Sequence, residues 1–259
     1  MKKSFIFAII FSFNTSYTAT SPQIAAPDFL ILGVTKCGTT SLYDYLIQHP
    51  NIASARKKEL HFFDTNKFKQ GINLYNSYFP SIKEKLTKNI ITGEASPGYF
   101  WKKQCAKRIA THCPHVKLII ITRNPVSRAI SHYNYFEKKR WPQKSFEEAI
   151  KIPSMREQII EAGCYIEHLS RWLSLFPKEQ ILILVLEELA KSPEQEVNKA
   201  FKFLGLKEYT LDSYAVENQG KHSAIPVLSE TITMLKKFYE PYNKELEAFL
   251  GRKLPWDKK

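Results

Sequence analysis

From Asp28 onward, short and wholly apolar runs alternate with longer stretches whose apolar residues recur at helical spacing. Phe29-Leu-Ile-Leu-Gly33 is the first such run, ending in glycine as a buried parallel strand does. Thr39 to Ile47 then reads as a helix, with Pro50 beyond its end. Ile90 to Glu94 is a second strand, and Lys103 to His112 is a helix stopped before Pro114. Val116 to Thr122 is the clearest strand; it runs into Arg123-Asn-Pro125, and a helix follows from Val126 to Phe136. Glu147–Ile150 and Met155–Ala162 have weaker helical spacing. Tyr165 to Phe176 is an amphipathic helix closed by Pro177, Ile181 to Leu186 a fully apolar strand, and Glu194 to Leu204 a helix ending at Gly205. The tail holds two helical stretches, Leu228 to Tyr239 and Asn243 to Leu250. Strands alternating with helices build βαβ units. The predicted fold class is therefore α/β, a single domain over residues 28–259 with a central, mainly parallel sheet flanked by helices, and the glycine-containing loop Gly33–Ser41 after its first strand makes it P-loop-type.

Residues 1–27 break this pattern. A basic start at Lys2 and Lys3, an apolar run from Phe5 to Phe13 and a polar stretch from Asn14 to Gln23 follow the order of a signal or targeting segment. The apolar run is too short for a stable membrane span. The expectation is a secretory or exported protein if this segment acts, and a cytoplasmic one otherwise. The four cysteines, Cys37, Cys105, Cys113 and Cys164, form no CxxC pair and no zinc spacing. A Cys105–Cys113 disulfide is conceivable, with free thiols favoured in a reducing compartment.

The net charge of +13 asks for an anionic partner. Lys and Arg are scattered, with small clusters at Arg56–Lys58 and Glu137–Arg140, and no basic element is interleaved with aromatics. No nucleic acid is expected as partner, and the charge alone leaves a membrane surface, a polyanionic sugar or a phosphate-bearing ligand open; the carbohydrate acceptor comes only from the resemblance given below.

Gly33-Val-Thr-Lys36-Cys37-Gly38-Thr39-Thr40-Ser41 lies between a predicted strand and a predicted helix, where backbone amides can hold an anion. A nucleotide P-loop reads GxxxxGK[ST]; here Lys36 precedes Gly38. A Walker-type site also needs a metal-binding carboxylate at the end of a later strand, whereas the strongest strand here ends in Arg123, which suits a phosphate.

The sequence Lys117-Leu-Ile-Ile-Ile-Thr-Arg123-Asn-Pro-Val-Ser-Arg128-Ala-Ile-Ser131-His-Tyr133, together with Gly33–Ser41, resembles the sulfotransferases that use 3′-phosphoadenylyl sulfate (PAPS). Glu59-Leu-His61-Phe-Phe-Asp64 and Gly93-Glu-Ala-Ser-Pro-Gly-Tyr99-Phe100 resemble the heparan sulfate branch, the glucosaminyl N- and 3-O-sulfotransferases. The resemblance implies PAPS as donor co-substrate and no metal. It implies that Lys36 to Ser41 bind the 5′-phosphosulfate, with Lys36 near the bridging oxygen, and that Arg123 and Ser131 bind the 3′-phosphate. Gly220-Lys221-His222 resembles a reduced form of a late family segment that also touches the nucleotide. Glu59 matches the catalytic base, and His61 beside it is read as catalytic or as a structural histidine. Asp64 is expected to be a turn or cap residue, Phe62 and Phe63 packing, and Arg128 solvent-facing rather than nucleotide-binding.

The implied reaction is in-line displacement at sulfur by a hydroxyl or amine of a carbohydrate. Departures fall where the acceptor binds: the family's basic residue after Glu94 is Ala95, and the paired cysteines of the C-terminal loop are missing. The rival readings are a P-loop small-molecule kinase and a non-catalytic heparin- or glycan-binding protein on the same fold.

Overall fold

The computed structural model describes residues 26–140, 144–215 and 226–256. Residues 1–25 and Lys221 therefore lie outside the described residues. Along the chain run β1 (Phe29–Gly33), α1 (Thr39–Leu46), β2 (Ile52–Ser54), α2 (Ile72–Asn76), α3 (Ile82–Lys88), β3 (Ile91–Ala95), α4 (Lys103–His112), β4 (Lys117–Thr122) and α5 (Pro125–Arg140). Then follow α6 (Phe146–Ala149), α7 (Pro153–Ile159), α8 (Tyr165–Leu173), β5 (Ile181–Val185), α9 (Leu186–Lys191), α10 (Pro193–Leu204) and α11 (Ser229–Leu250).

The strands pair in parallel throughout, in the order β2-β3-β1-β4-β5. β1 and β4 are apolar and buried almost along their length because helices cover both faces of the sheet. They are neighbours, yet the chain leaves β1 toward β2 on one side and leaves β4 toward β5 on the other. The crevice at their carboxyl ends is thus the switch point where α/β sheets bind ligands. The β1–β4 register shifts between Ile31 and Gly33, just where the glycine loop begins.

Two expectations are corrected. The tail is one helix, α11, running through Pro241. Leu235, Tyr239 and Leu246 lie on its buried side, and this packing offsets the backbone hydrogen bond that Pro241 cannot donate. Arg128 does not face solvent: it is fully buried, and its guanidinium donates to the carbonyls of Gln158 and Ile159. It lies beside Tyr239, tying α5 to the end of α7 and to α11. β2, α2, α3 and α9 were not anticipated. β2 is three residues long, too short to show periodicity. All four cysteines are buried thiols, and the Cys105–Cys113 disulfide is not formed.

Replacing Arg128 with Met strands two buried carbonyls, so unfolding in urea should show a loss of about 2–4 kcal/mol. A loss under about 0.5 kcal/mol, the range of neutral surface changes, would contradict this structural role.

Candidate active site

Two loops and one turn form the site. The first loop joins β1 to α1. Gly38 takes a left-handed conformation, with φ 85°, that only glycine adopts freely, and a Cβ there would lie 2.7 Å from Leu186 Cδ1. α1 then starts with no side-chain cap and no acidic residue in its first turn, which leaves its amide end open to an anion. Thr39 and Ser41 are buried and Thr40 half-buried. Cys37 turns inward: its N–H donates to Val34 O at 3.0 Å, and its thiol lies 3.8 Å from Tyr165 Oη. Burial pushes that thiol up to about 12, so it stays neutral.

Arg123, at the end of β4, donates from Nη1 to the Lys36 carbonyl at 3.2 Å. The strand-end guanidinium and the glycine loop therefore meet. Tyr165 Oη holds the Arg123 carbonyl at 2.8 Å, and Glu187 holds the Asn124 N–H at 2.9 Å. Ser131 is half-buried on α5, one turn before Tyr135. The Lys36 ammonium sits over the Tyr135 ring, 4.1 Å from its centroid, so this face of α5 looks onto the loop. Tyr135 was not singled out from sequence, since an aromatic on an amphipathic helix reads as packing.

The second loop carries Glu59, His61 and Asp64. Lys58 pairs with Asp44, leaving Glu59 to His61, whose Nε2 is 3.6 Å from Glu59 Oε2. His61 Nδ1 is hydrogen-bonded to Asp64 Oδ2 at 2.9 Å. Asp64 sits in a turn, as expected, but it is also buried, meets Lys102 at 3.4 Å and is the orienting partner of His61. Phe62 and Phe63 pack into the core, as expected. The Asp64 hydrogen bond and the Glu59 carboxylate raise His61 to about 9, which keeps it cationic at neutral pH. The adjacent imidazolium lowers Glu59, so that carboxylate is ionised. Glu59 and His61 both have positive φ, 53° and 47°, a strained conformation for residues with side chains.

The turn after β3 joins the two loops. Thr35 Oγ1 in the first loop donates to Pro97 O at 3.2 Å. In the second, the His61 N–H donates to Ser96 Oγ at 3.0 Å and the Phe62 N–H to Tyr99 Oη at 2.8 Å. Gly98 packs so closely on Asp64 that a Cβ there would lie 2.6 Å from Oδ2. The turn is itself held by Glu94, fully buried, which accepts from Ser96 Oγ at 2.6 Å, Tyr99 Oη at 2.8 Å and Tyr75 Oη at 3.2 Å. Burial raises the Glu94 pKa, and these donors oppose the rise.

Comparison with known proteins agrees with this geometry. Residues 26–231 match the sulfotransferase domain family. The chain belongs to the sulfotransferase family. It is 31% identical to mouse heparan sulfate glucosamine 3-O-sulfotransferase 3B1, across 89% of this chain and 65% of that protein. It is 30% identical to human bifunctional heparan sulfate N-deacetylase/N-sulfotransferase 3, across 88% of this chain and 31% of that protein. The chain thus spans about two thirds and about one third of these relatives' lengths. The crystal structure of a sulfotransferase from Alicyclobacillus acidocaldarius superposes with a TM-score of 0.71 at 29% identity, covering 91% of this chain and all of that one.

In this sulfotransferase, His61 gains its partners on folding and its pKa rises from 6.5 to about 9. The stabilisation it contributes is complete below pH 6.5 and is lost as pH rises through about 9. Replacing Asp64 with Asn should move the His61 titration, followed by NMR, down toward its ordinary value and shrink that alkaline loss. A His61 titration unchanged by the substitution would contradict the assignment of Asp64.

Proposed function

We propose that this sulfotransferase moves a sulfuryl group from PAPS to a hydroxyl or amine of a carbohydrate acceptor. The observation that carries the proposal is the single turn, Ser96-Pro97-Gly98, that bonds both to the glycine loop beside Lys36 and to the loop bearing Glu59 and His61. An anion-binding loop and an ionised carboxylate base on one joint suit in-line transfer, which asks the protein for positioning and charge stabilisation.

In the proposed step the acceptor oxygen or nitrogen forms a bond to sulfur while the bond from sulfur to the bridging phosphate oxygen breaks. The acceptor's proton passes to Glu59, and adenosine 3′,5′-bisphosphate leaves. Lys36 and the amide end of α1 offset the charge that builds on the leaving phosphate. Arg123 and Ser131 hold the 3′-phosphate; the arginine fork suits such bidentate recognition. Lys221 is proposed as a further contact to the nucleotide. His61, held cationic by Asp64, fixes the Glu59 carboxylate and keeps it ionised. The relatives' names point to heparan sulfate as the acceptor class, and the chain's charge of +13 is consistent with a polyanionic sugar.

Calorimetric titration with adenosine 3′,5′-bisphosphate tests the donor. The bisphosphate should bind in clear preference to ADP, and Arg123→Ala should weaken it by about 2–3 kcal/mol, roughly 30- to 150-fold. Equal binding of ADP would remove the 3′-phosphate site and the proposal with it. In turnover, Tyr135→Leu should lower kcat by about three- to tenfold while Tyr135→Phe, which keeps the ring face under Lys36, stays near wild type. Equal losses in the two variants would show that the ring face is not what Lys36 uses.

A further inference from the structure

A groove of about 530 Å³ runs along α4, lined by Phe68, Lys103, Lys107, Arg108 and His112 among others. That volume lies within the range of small-ligand sites, about 300–1,000 Å³. Its wall is built onto the catalytic loop. Arg108 Nη1 donates to the Phe63 carbonyl at 2.6 Å, and its guanidinium lies 4.3 Å from the Phe68 ring centroid. Phe68 in turn packs on Phe62 and Phe63, with ring centroids 5.7 and 6.1 Å away, and on His112 at 5.6 Å. Phe62 and Phe63 fill the two positions between His61 and Asp64, so the groove and the proposed base share one packed cluster.

Charge in this region has one sign. Residues 102–112 contain Lys102, Lys103, Lys107 and Arg108 with no Asp or Glu, and residues 65–71 contain Lys67 and Lys69 with none. Lys102 is engaged by Asp64, and Lys67 by the Leu60 carbonyl at 2.7 Å. Lys103 and Lys107 are exposed, one helical turn apart on the groove's rim, and have no ion-pair partner among the described residues. An apolar floor under two uncompensated ammonium groups fits a sugar ring that lays its C–H face down and directs anionic substituents outward.

Resting on the sulfotransferase reading, we infer that the α4 groove is a second acceptor subsite. It holds an anionic saccharide unit of the same chain whose neighbouring unit is presented to Glu59. Because the position after Glu94 is the buried, apolar Ala95, this sulfotransferase draws acceptor charge onto α4 and not onto that position.

The test compares Lys103→Glu/Lys107→Glu with a matched pair, Lys236→Glu/Lys237→Glu, on the exposed face of α11. Heparin is the binding probe, titrated at several salt concentrations; adenosine 3′,5′-bisphosphate is titrated in parallel. The α4 pair should weaken heparin binding by about tenfold or more and reduce the salt slope by about 2, with bisphosphate affinity unchanged. The α11 pair should change heparin affinity far less. An equal effect of both pairs would mean that only net charge matters, and an unchanged heparin affinity in the α4 pair would empty the groove; either overturns the inference. A DNA duplex bound as tightly as heparin and lost through the same α4 pair would overturn the assignment to a sugar. If wild type fails to bind the bisphosphate at all, the donor reading fails separately, while the heparin comparison still decides the groove.

Discussion

The Glu94 carboxylate, fully buried at the end of β3, is the constraint on which the site depends. A buried carboxylate is costly unless its lone pairs are filled, and Glu94 fills them with Ser96, Tyr99 and Tyr75. Two of those donors also accept backbone N–H groups from the loop that carries His61. One buried carboxyl group therefore fixes the turn after β3, and the turn fixes the loop. Through Pro97 the same turn reaches Thr35 in the glycine loop. Loops that leave β1 and β2 are thereby held in one frame by a third strand.

That frame supports strained backbone. Lys36, Glu59 and His61 all have positive φ, and none is glycine. Such conformations cost of order 1–3 kcal/mol each and persist only where surrounding bonds over-determine them. Here the bonds are visible: Arg123 on the Lys36 carbonyl, Ser96 on the His61 amide, and Asp64 on the His61 ring. Electrostatics then follow from position. The same imidazolium that Asp64 stabilises lowers Glu59, so base and orienter are set by one chain of contacts.

The sheet and the glycine loop were legible in the sequence because their signals are local. β4 is an unbroken apolar run ending in Arg123, and the loop's glycines sit where a strand must turn into a helix. α4 matched its expected bounds residue for residue. What depends on distant partners was not legible. Asp64 reads as a turn residue, which it is, but nothing local shows that His61 and Lys102 close on it, and Arg128 looks like a surface charge until Gln158, Ile159 and Tyr239 surround it. Pro241 argues locally for a break, yet the apolar stripe of α11 runs past it. Tyr135 gave no signal at all, since only the fold brings Lys36 over its ring.

The most direct test of the account is transfer itself. The chain and its Glu59→Gln variant are incubated with sulfur-35-labelled PAPS and desulfated heparin, and label is counted in the polysaccharide. The account predicts label with wild type and a loss of about 10²- to 10⁴-fold in rate for the variant, with adenosine 3′,5′-bisphosphate still bound by both. Label appearing at the wild-type rate in Glu59→Gln would contradict the role given to Glu59 and the frame built around it.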